Sequence, residues 1–246
     1  MESLPVLTWN VHRTVGQDGI ADARRVESVI AHEVASRRPG VLALQEADSD
    51  DPPHRALLDR AWIERQTGLR SVHDRSDMRW GGESGGYLGN IVHIDPDLQI
   101  DFHRIVELPG HCPRAAVLVE ARLGGSRVRI VSCHLSLLQA LRAVQIRLIG
   151  QVIARRAPMQ TILLGDLNEW RPWGGLALAP ALSGMALSGP TVRTFPAGRP
   201  LLALDRVLSA PGCVGDAVAL DSPAIRAASD HRPLFARVRL RGEARG

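Results

Sequence analysis

The stretch ILLGDLNEW, residues 162–170, reads as a buried strand that ends in polar groups. Ile162, Leu163 and Leu164 belong in a core, and Gly165 lets the backbone turn. Asp166 and Asn168 follow, separated by apolar Leu167. Residues two apart in a strand share a face. A carboxylate and an amide are therefore expected to project together from the end of a core strand.

The same pattern recurs outward from this segment. Asn10 follows the apolar strand LPVLTW (4–9), Glu46 follows VLALQ (41–45), and His134 follows VRIVSC (128–133). Asp230 and His231 precede PLFARV (233–238), and Asp205 sits inside LLALDRVL (201–208). Singly, each has an ordinary reading as a turn former, a helix cap or a core histidine. If the strands lie side by side, these groups meet at one edge of the sheets. Carboxylates and carboxamides are hard oxygen ligands suited to magnesium. A carboxylate beside a metal can orient or deprotonate water, and histidines can donate to phosphoryl oxygens.

Between these segments the periodicity predicts further elements. Residues 20–37 show helical spacing ended by Pro39–Gly40, and 54–66 suggest another helix. Segments 88–94, 98–106, 114–123 and 126–135 read as strands, with Gly124–Gly125 at a hairpin turn. Residues 137–156 form the clearest helix, with Leu138, Leu141, Val144, Leu148, Val152 and Ile153 on one apolar face. The loop at 74–86, with GGESGG, is the expected mobile segment, and 171–190 is rich in Pro, Gly and Ala without clear periodicity. Strands interspersed with returning helices suggest a layered α/β or α+β arrangement.

Composition bounds the setting. The chain has 246 residues, 45% of them hydrophobic, enough for one large domain over 1–246 without disulfides. Cys112, Cys133 and Cys213 are far apart, which argues against a disulfide framework or a zinc site and fits a reducing cytoplasm. The opening MESLPVLTWN lacks the pattern of a signal peptide, and no apolar run approaches the length of a membrane span. The net charge is +4, carried entirely by arginine on the basic side, with no basic tail. That balance neither requires nor excludes nucleic acid.

In this order the segments resemble the endonuclease/exonuclease/phosphatase superfamily. TWNVHR, LQEAD, GYLGNIVHI, SCHLSLLQALRAVQIRLI, LLGDLNEW, LLALDRVLS and SDHRPLFARV match its motifs from residue 4 to about 240. The resemblance implies a DNase I-like four-layered α/β sandwich, with two mixed β-sheets face to face and helices outside. It implies phosphoester hydrolysis with Mg²⁺ or Mn²⁺. By analogy, Glu46 is the main metal ligand, with Asn10 nearby and Asp230 sharing the metal. Asp166 activates the water and Asn168 orients it. His231, held by Asp205, stabilises the phosphoryl group, and His134 contacts the phosphate and protonates the leaving group. Arg114 and Asn90 are expected at the substrate, while Arg142 and Gln145 support His134. One departure is His12, where abasic-site endonucleases of the family carry Asp.

Three substrate readings follow. The first is a phosphodiesterase or phosphatase, working as a monomer on a small or lipid-derived phosphoester. The alternative is a nuclease acting on DNA or RNA, with Arg13, Arg75, Arg79 and Trp80 flanking the site. The third, a catalytically silent binding member, predicts gaps in a residue set that here is complete.

Overall fold

A computed structural model describes residues 2–242. In chain order the strands are β1 (Ser3–Asn10), β2 (Val41–Gln45), β3 (Arg70–Ser71), β4 (Ile91–Ile94), β5 (Gln99–Leu108), β6 (Arg114–Leu123), β7 (Ser126–His134), β8 (Gln160–Asp166), β9 (Asp205–Ala210), β10 (Cys213–Ala219) and β11 (Leu234–Arg239). The helices are α1 (Ala23–Val29), α2 (Arg60–Thr67), α3 (Gln139–Ala154), α4 (Pro180–Ser183) and α5 (Pro223–Ala228). One sheet runs β10-β11-β1-β2-β4-β3 and the other β5-β6-β7-β8-β9. Both are mixed, because β1 and β2 are parallel, as are β7 and β8, among otherwise antiparallel neighbours.

The layers follow from strand alternation. Leu4 and Val6 of β1, Val41 and Ala43 of β2, Ile130 of β7, and Ile162 and Leu164 of β8 face a core shared by the two sheets. The intervening Leu7, Leu42 and Leu44 face outward and pack with Val26, Ile63 and Ile225 from the helices on that side. On the other side Val131 and Leu163 pack with Ile146 and Ile149 of α3. Because both faces are covered, these strands read as continuous apolar runs. The result is a four-layered α/β sandwich. Truncating a core residue such as Ile162 to alanine would cost about 2–5 kcal/mol.

The inward phase explains where the polar groups go. Leu4, Val6, Thr8 and Asn10 alternate on one face, as do Ile162, Leu164 and Asp166, and Ile130, Ser132 and His134. The pattern that fills the core continues past its edge and delivers Asn10, Asp166 and His134 to the mouth between the sheets. Register places His134 beside Asp166 and Asp166 beside Asp205. Gly165 makes that pairing close, since a Cβ there would lie 1.9 Å from the Cys133 carbonyl oxygen, at a φ of +136°.

Several elements depart from the periodicity. The helix expected over 54–66 begins only at Arg60, where Asp59 accepts a hydrogen bond from the Trp62 N–H at 3.1 Å. The preceding backbone bonds other loops instead, as in Ala56 N–H to the Glu83 carbonyl at 2.9 Å. The segment over 20–37 starts at Ala23, capped by Asp22, and passes through a widened turn at Ile30–Val34 before a tight turn at Ala35–Arg37. The apolar face expected on α3 is rotated. Val144 is exposed, and Arg142, Gln145, Ile146, Ile149 and Ile153 are buried. The far end of the 74–86 loop is pinned, because the buried Asp48 carboxylate accepts from the N–H groups of Gly85, Gly86 and Gly89 at 2.8, 3.2 and 3.1 Å.

Candidate active site

Four strand ends converge at the mouth. The Asn10 amide is the hinge of the cluster: Nδ2 donates to Glu46 Oε1 at 3.1 Å and to Asp166 Oδ2 at 3.0 Å. Its Oδ1 accepts the His12 N–H at 2.9 Å. Glu46 follows β2 directly and adopts φ +55°. That left-handed turn takes its side chain out of the strand's alternation and toward Asn10. His12, Arg13 and Thr14 also hold positive φ, three non-glycine residues in succession. Strain of this kind concentrates where surrounding structure over-determines a conformation, often at functional sites.

Asp166 is buried and receives several groups. Its Oδ1 accepts the Asn168 N–H at 3.0 Å, a short turn that requires Asn168 at φ +51°. Its Oδ2 lies 3.4 Å from His134 Nε2 and 3.8 Å from His231 Nε2. Asn168 Nδ2 donates to the Leu135 carbonyl at 2.9 Å, and Arg114 Nη1 donates to the same oxygen at 2.8 Å.

His231 is fixed from several sides. Its Nδ1 donates to Asp205 Oδ2 at 2.7 Å, and that oxygen also accepts the Thr194 hydroxyl. Trp9 Nε1 donates to the His231 carbonyl at 2.9 Å, and Ser229 Oγ accepts the His231 N–H at 3.1 Å while donating to the Asn10 carbonyl. Burial opposes charge on this ring, but Asp205, Asp166 and Asp230 outweigh it and raise its pKa to about 10. His134 moves the other way. Burial pushes its pKa down to about 3, against the pull of Asp166. One histidine is thus held cationic and the other neutral, with both near one carboxylate oxygen.

Three buried carboxylate oxygens, Glu46 Oε2, Asp205 Oδ1 and Asp230 Oδ1, make no hydrogen bond among the described residues. Arg13 Nη1 approaches Glu46 Oε2 to 2.7 Å as an ion pair outside hydrogen-bond geometry, and it also pairs with Asp50 at 3.0 Å. Asp230 Oδ1 lies 3.6 Å from His12 Nδ1. Oxygen donors left without a hydrogen bond in this way fit a hard divalent cation. Asp166, Asp205 and His231 also offer three ligand atoms within 4.8 Å of one another.

Most of the residues expected from sequence gather here: Asn10, Glu46, His134, Asp166, Asn168, Asp205, Asp230 and His231. Arg114 borders a cleft of about 480 Å³ shared with Arg13, Glu46 and His134. Asn90 stands apart. Its Nδ2 donates to the carbonyls of Ala115 and Ser132, and its Oδ1 accepts the Ser132 hydroxyl, so the amide ties one sheet to the other. Arg142 and Gln145 hold the loop after β7, at Ser136 and Leu137, and do not touch His134. Asp48 and Thr194 are contributors that sequence reasoning did not assign to this site, and Arg13, expected only as a flanking contact to a nucleic-acid strand, pairs with Glu46. Asp48 stands two residues after Glu46, and its pairing with GGESGG has no periodic signal. Thr194 lies in a stretch without regular structure.

The Endonuclease/Exonuclease/phosphatase family model matches residues 7–231. The chain belongs to this family. Among curated proteins it is 25% identical over 198 residues to the uncharacterised protein YbhP of Escherichia coli K12, covering 78% of this chain and 74% of that one. Among solved structures, an endonuclease/exonuclease/phosphatase from Beutenbergia cavernae has a TM-score of 0.67 at 22% identity, covering all of this chain and 74% of that one. D. rerio TDP2, complexed with a single-strand DNA product, has a TM-score of 0.70 at 15% identity, over 97% of this chain and 100% of that one. At these identities the structural likenesses establish the fold. Members of this family are generally hydrolases acting on phosphoesters. Among the described residues, no helix is long and apolar enough to cross a membrane.

Proposed function

We propose that the chain is a divalent-metal-dependent phosphoesterase that hydrolyses a phosphodiester or phosphomonoester of a small or lipid-derived alcohol. The observation that carries this reading is the convergence on Asp166 Oδ2 of the Asn10 amide, neutral His134 and cationic His231, within 3.0–3.8 Å. The shared inner core of the two sheets supports treating residues 1–246 as one domain.

Glu46, with Asn10 and Asp230, would hold Mg²⁺ or Mn²⁺. A bound cation of this kind neutralises phosphoryl charge and makes a nearby water more acidic. The Asp166–Asp205–His231 trio is the weaker metal candidate: Asp205 Oδ1 is also without a hydrogen bond, but His231 Nδ1 is engaged with Asp205 Oδ2 and a protonated imidazole has no lone pair to offer.

Asp166 takes the proton of the attacking water, whose position Asn168 helps to set. The water oxygen bonds to phosphorus as the bond to the leaving oxygen breaks. His134, held neutral, donates an N–H to a phosphoryl oxygen, and Arg114 supplies positive charge at the cleft wall. His134 in that state is a poor proton source. His231 carries a proton at neutral pH, so it both stabilises the developing charge and can protonate the leaving oxygen. Asn90 joins the sheets and does not contact substrate in this reading.

The test is hydrolysis of bis(p-nitrophenyl) phosphate and of p-nitrophenyl phosphate, with Mg²⁺, Mn²⁺ or chelator. Metal-dependent release that falls by about 10³-fold in Asp166→Asn is expected. Equal rates in the parent and Asp166→Asn would remove Asp166 from the chemistry. A nuclease is the second reading, motivated by the DNA product bound to D. rerio TDP2. Cleavage of a single-stranded oligonucleotide at higher kcat/KM than any small ester would favour it.

A further inference from the structure

Beside the phosphoester cleft lies a second groove of about 220 Å³. The two depressions share His111, Cys112, Arg114 and Leu137 as a common wall. The groove's far wall is Leu138 and Leu141. Leu137 and Leu138 remain 75% and 61% exposed, so neither is absorbed by the protein's own core.

Away from the shared wall, where His111 and Cys112 are exposed, the groove's polar atoms are engaged. Gln145 Nε2 donates to the Pro109 carbonyl at 2.8 Å, and its Oε1 accepts the Ser136 N–H at 2.8 Å. A sugar or other hydroxylated group would find little to bond along the leucine side of the groove. A nucleobase would want an aromatic platform, and beyond His111 on the wall shared with the cleft the groove offers only leucines as large side chains of that kind. A hydrocarbon chain meets the surface as it stands.

A second observation points the same way. The loop after Asn168 exposes Trp170, Trp173 and Leu176, with Trp173 at 75%. Arg171 in that loop donates to Gln139 Oε1 at 2.7 Å, tying it to the start of α3, next to Leu138. Single exposed apolar residues are ordinary. A run of large ones in a loop tied to the start of α3, where Leu137 and Leu138 are exposed, forms a surface of the kind that binds something apolar.

We propose that the substrate is a phosphoester carrying a hydrocarbon chain, with the phosphate in the cleft at Glu46 and Asp166 and the first methylenes of the chain in the Leu137–Leu138–Leu141 groove. This rests on the phosphoesterase reading and names its substrate class. The chain is of the acyl or alkyl kind, whether in a dispersed amphiphile or in a bilayer lipid.

The experiment uses p-nitrophenyl methyl, butyl and octyl phosphodiesters below their micellar concentrations, with Mn²⁺. Burying a methylene contributes about 0.8 kcal/mol, so kcat/KM should rise by up to about fourfold per methylene until the groove is filled. The octyl-to-methyl ratio should fall at least tenfold in Leu138→Asn and in Leu141→Asn, whatever each variant's rate on the methyl ester. Metal-dependent cleavage with no chain-length preference would overturn the substrate class and leave the phosphoesterase reading standing. Absence of cleavage for every ester would count against the phosphoesterase reading itself. A binding arm then decides the groove alone: calorimetry should show octylphosphonate binding tighter than methylphosphonate, with the difference lost in Leu138→Asn, and equal affinities would overturn the inference. Co-sedimentation with phosphatidylglycerol vesicles that weakens in Trp173→Ala would identify a bilayer lipid. A chain-length preference without vesicle binding would identify a dispersed amphiphile.

Discussion

His231 Nδ1 and Asp205 Oδ2 lie 2.7 Å apart, and the pair is buried at the junction of β9 with the loop before β11. With Asp166 and Asp230 also near, the ring stays protonated to about pH 10. A folded pKa above the unfolded value of about 6.5 stabilises the fold fully below pH 6.5, and that contribution is lost as pH rises toward 10. If the imidazolium assists phosphoryl transfer, turnover declines over the same alkaline approach. Asp205→Asn should move that alkaline limb to lower pH and reduce kcat at pH 7.5 by about 10²- to 10³-fold, the size expected for losing one preorganised donor. A pH–rate profile of parent and variant decides it, and an unmoved limb would show that Asp205 does not govern the charge of His231.

Arg13 occupies the position of a competing cation. Its Nη1 lies 2.7 Å from Glu46 Oε2 and is shared with Asp50. A divalent cation bound at Glu46 would have to displace this pairing. Arg13→Ala should therefore tighten Mn²⁺ binding by about threefold to tenfold, a modest effect because the guanidinium is partly solvated. Glu46→Gln should weaken binding. Isothermal calorimetry on the two variants separates them, and opposite signs are the expected result.

Asp48 is the anchor of the segment that leads into β4. Three backbone N–H groups point at one carboxylate. Asp48→Ala leaves all three without their acceptor and should cost about 2–4 kcal/mol. Urea unfolding measures the loss. Limited proteolysis of the variant should cut first within residues 81–89, and cleavage elsewhere first would assign the loss to another cause.

Acid should weaken the fold through two core histidines. His73 Nδ1 donates to the Met78 carbonyl and Nε2 accepts the Val92 N–H, so the neutral ring is fully satisfied and a second proton has no place. Burial lowers its pKa to about 4 and that of His93 to about 3. A depressed pKa supports stability above the unfolded value of about 6.5 and removes it progressively as pH falls toward 4. For His73 alone the loss across that window is about 3 kcal/mol. Unfolding free energies between pH 7 and 4.5 should fall, and less steeply in His73→Gln.

Much of the site was legible because the same two-residue period governs core and chemistry. β2 and β6 match their apolar segments residue for residue, and Asp166 projects on the face that Ile162 and Leu164 define. What escaped is what tertiary contact decides. The face of α3 rotated because buried Arg142 and Gln145 carry the hydrogen bonds that hold the loop after β7, and a hydrophobicity pattern scores both as solvent residues. Asn90 sits in a motif associated with substrate, yet its amide is engaged between the sheets. Glu46 reaches the cluster through a left-handed turn that no periodicity encodes. The short helix at Pro223–Ala228 lacked the length to show a period.

The continuity between core alternation and strand end gives the molecule a parity. Inserting one residue within β8 ahead of Leu163 would turn Asp166 toward α3 and Leu163 toward the opposite sheet, whereas inserting two would restore both facings. Catalytic placement and core packing therefore cannot drift separately. The strand counts odd from even, and every viable change of its length has to keep that count.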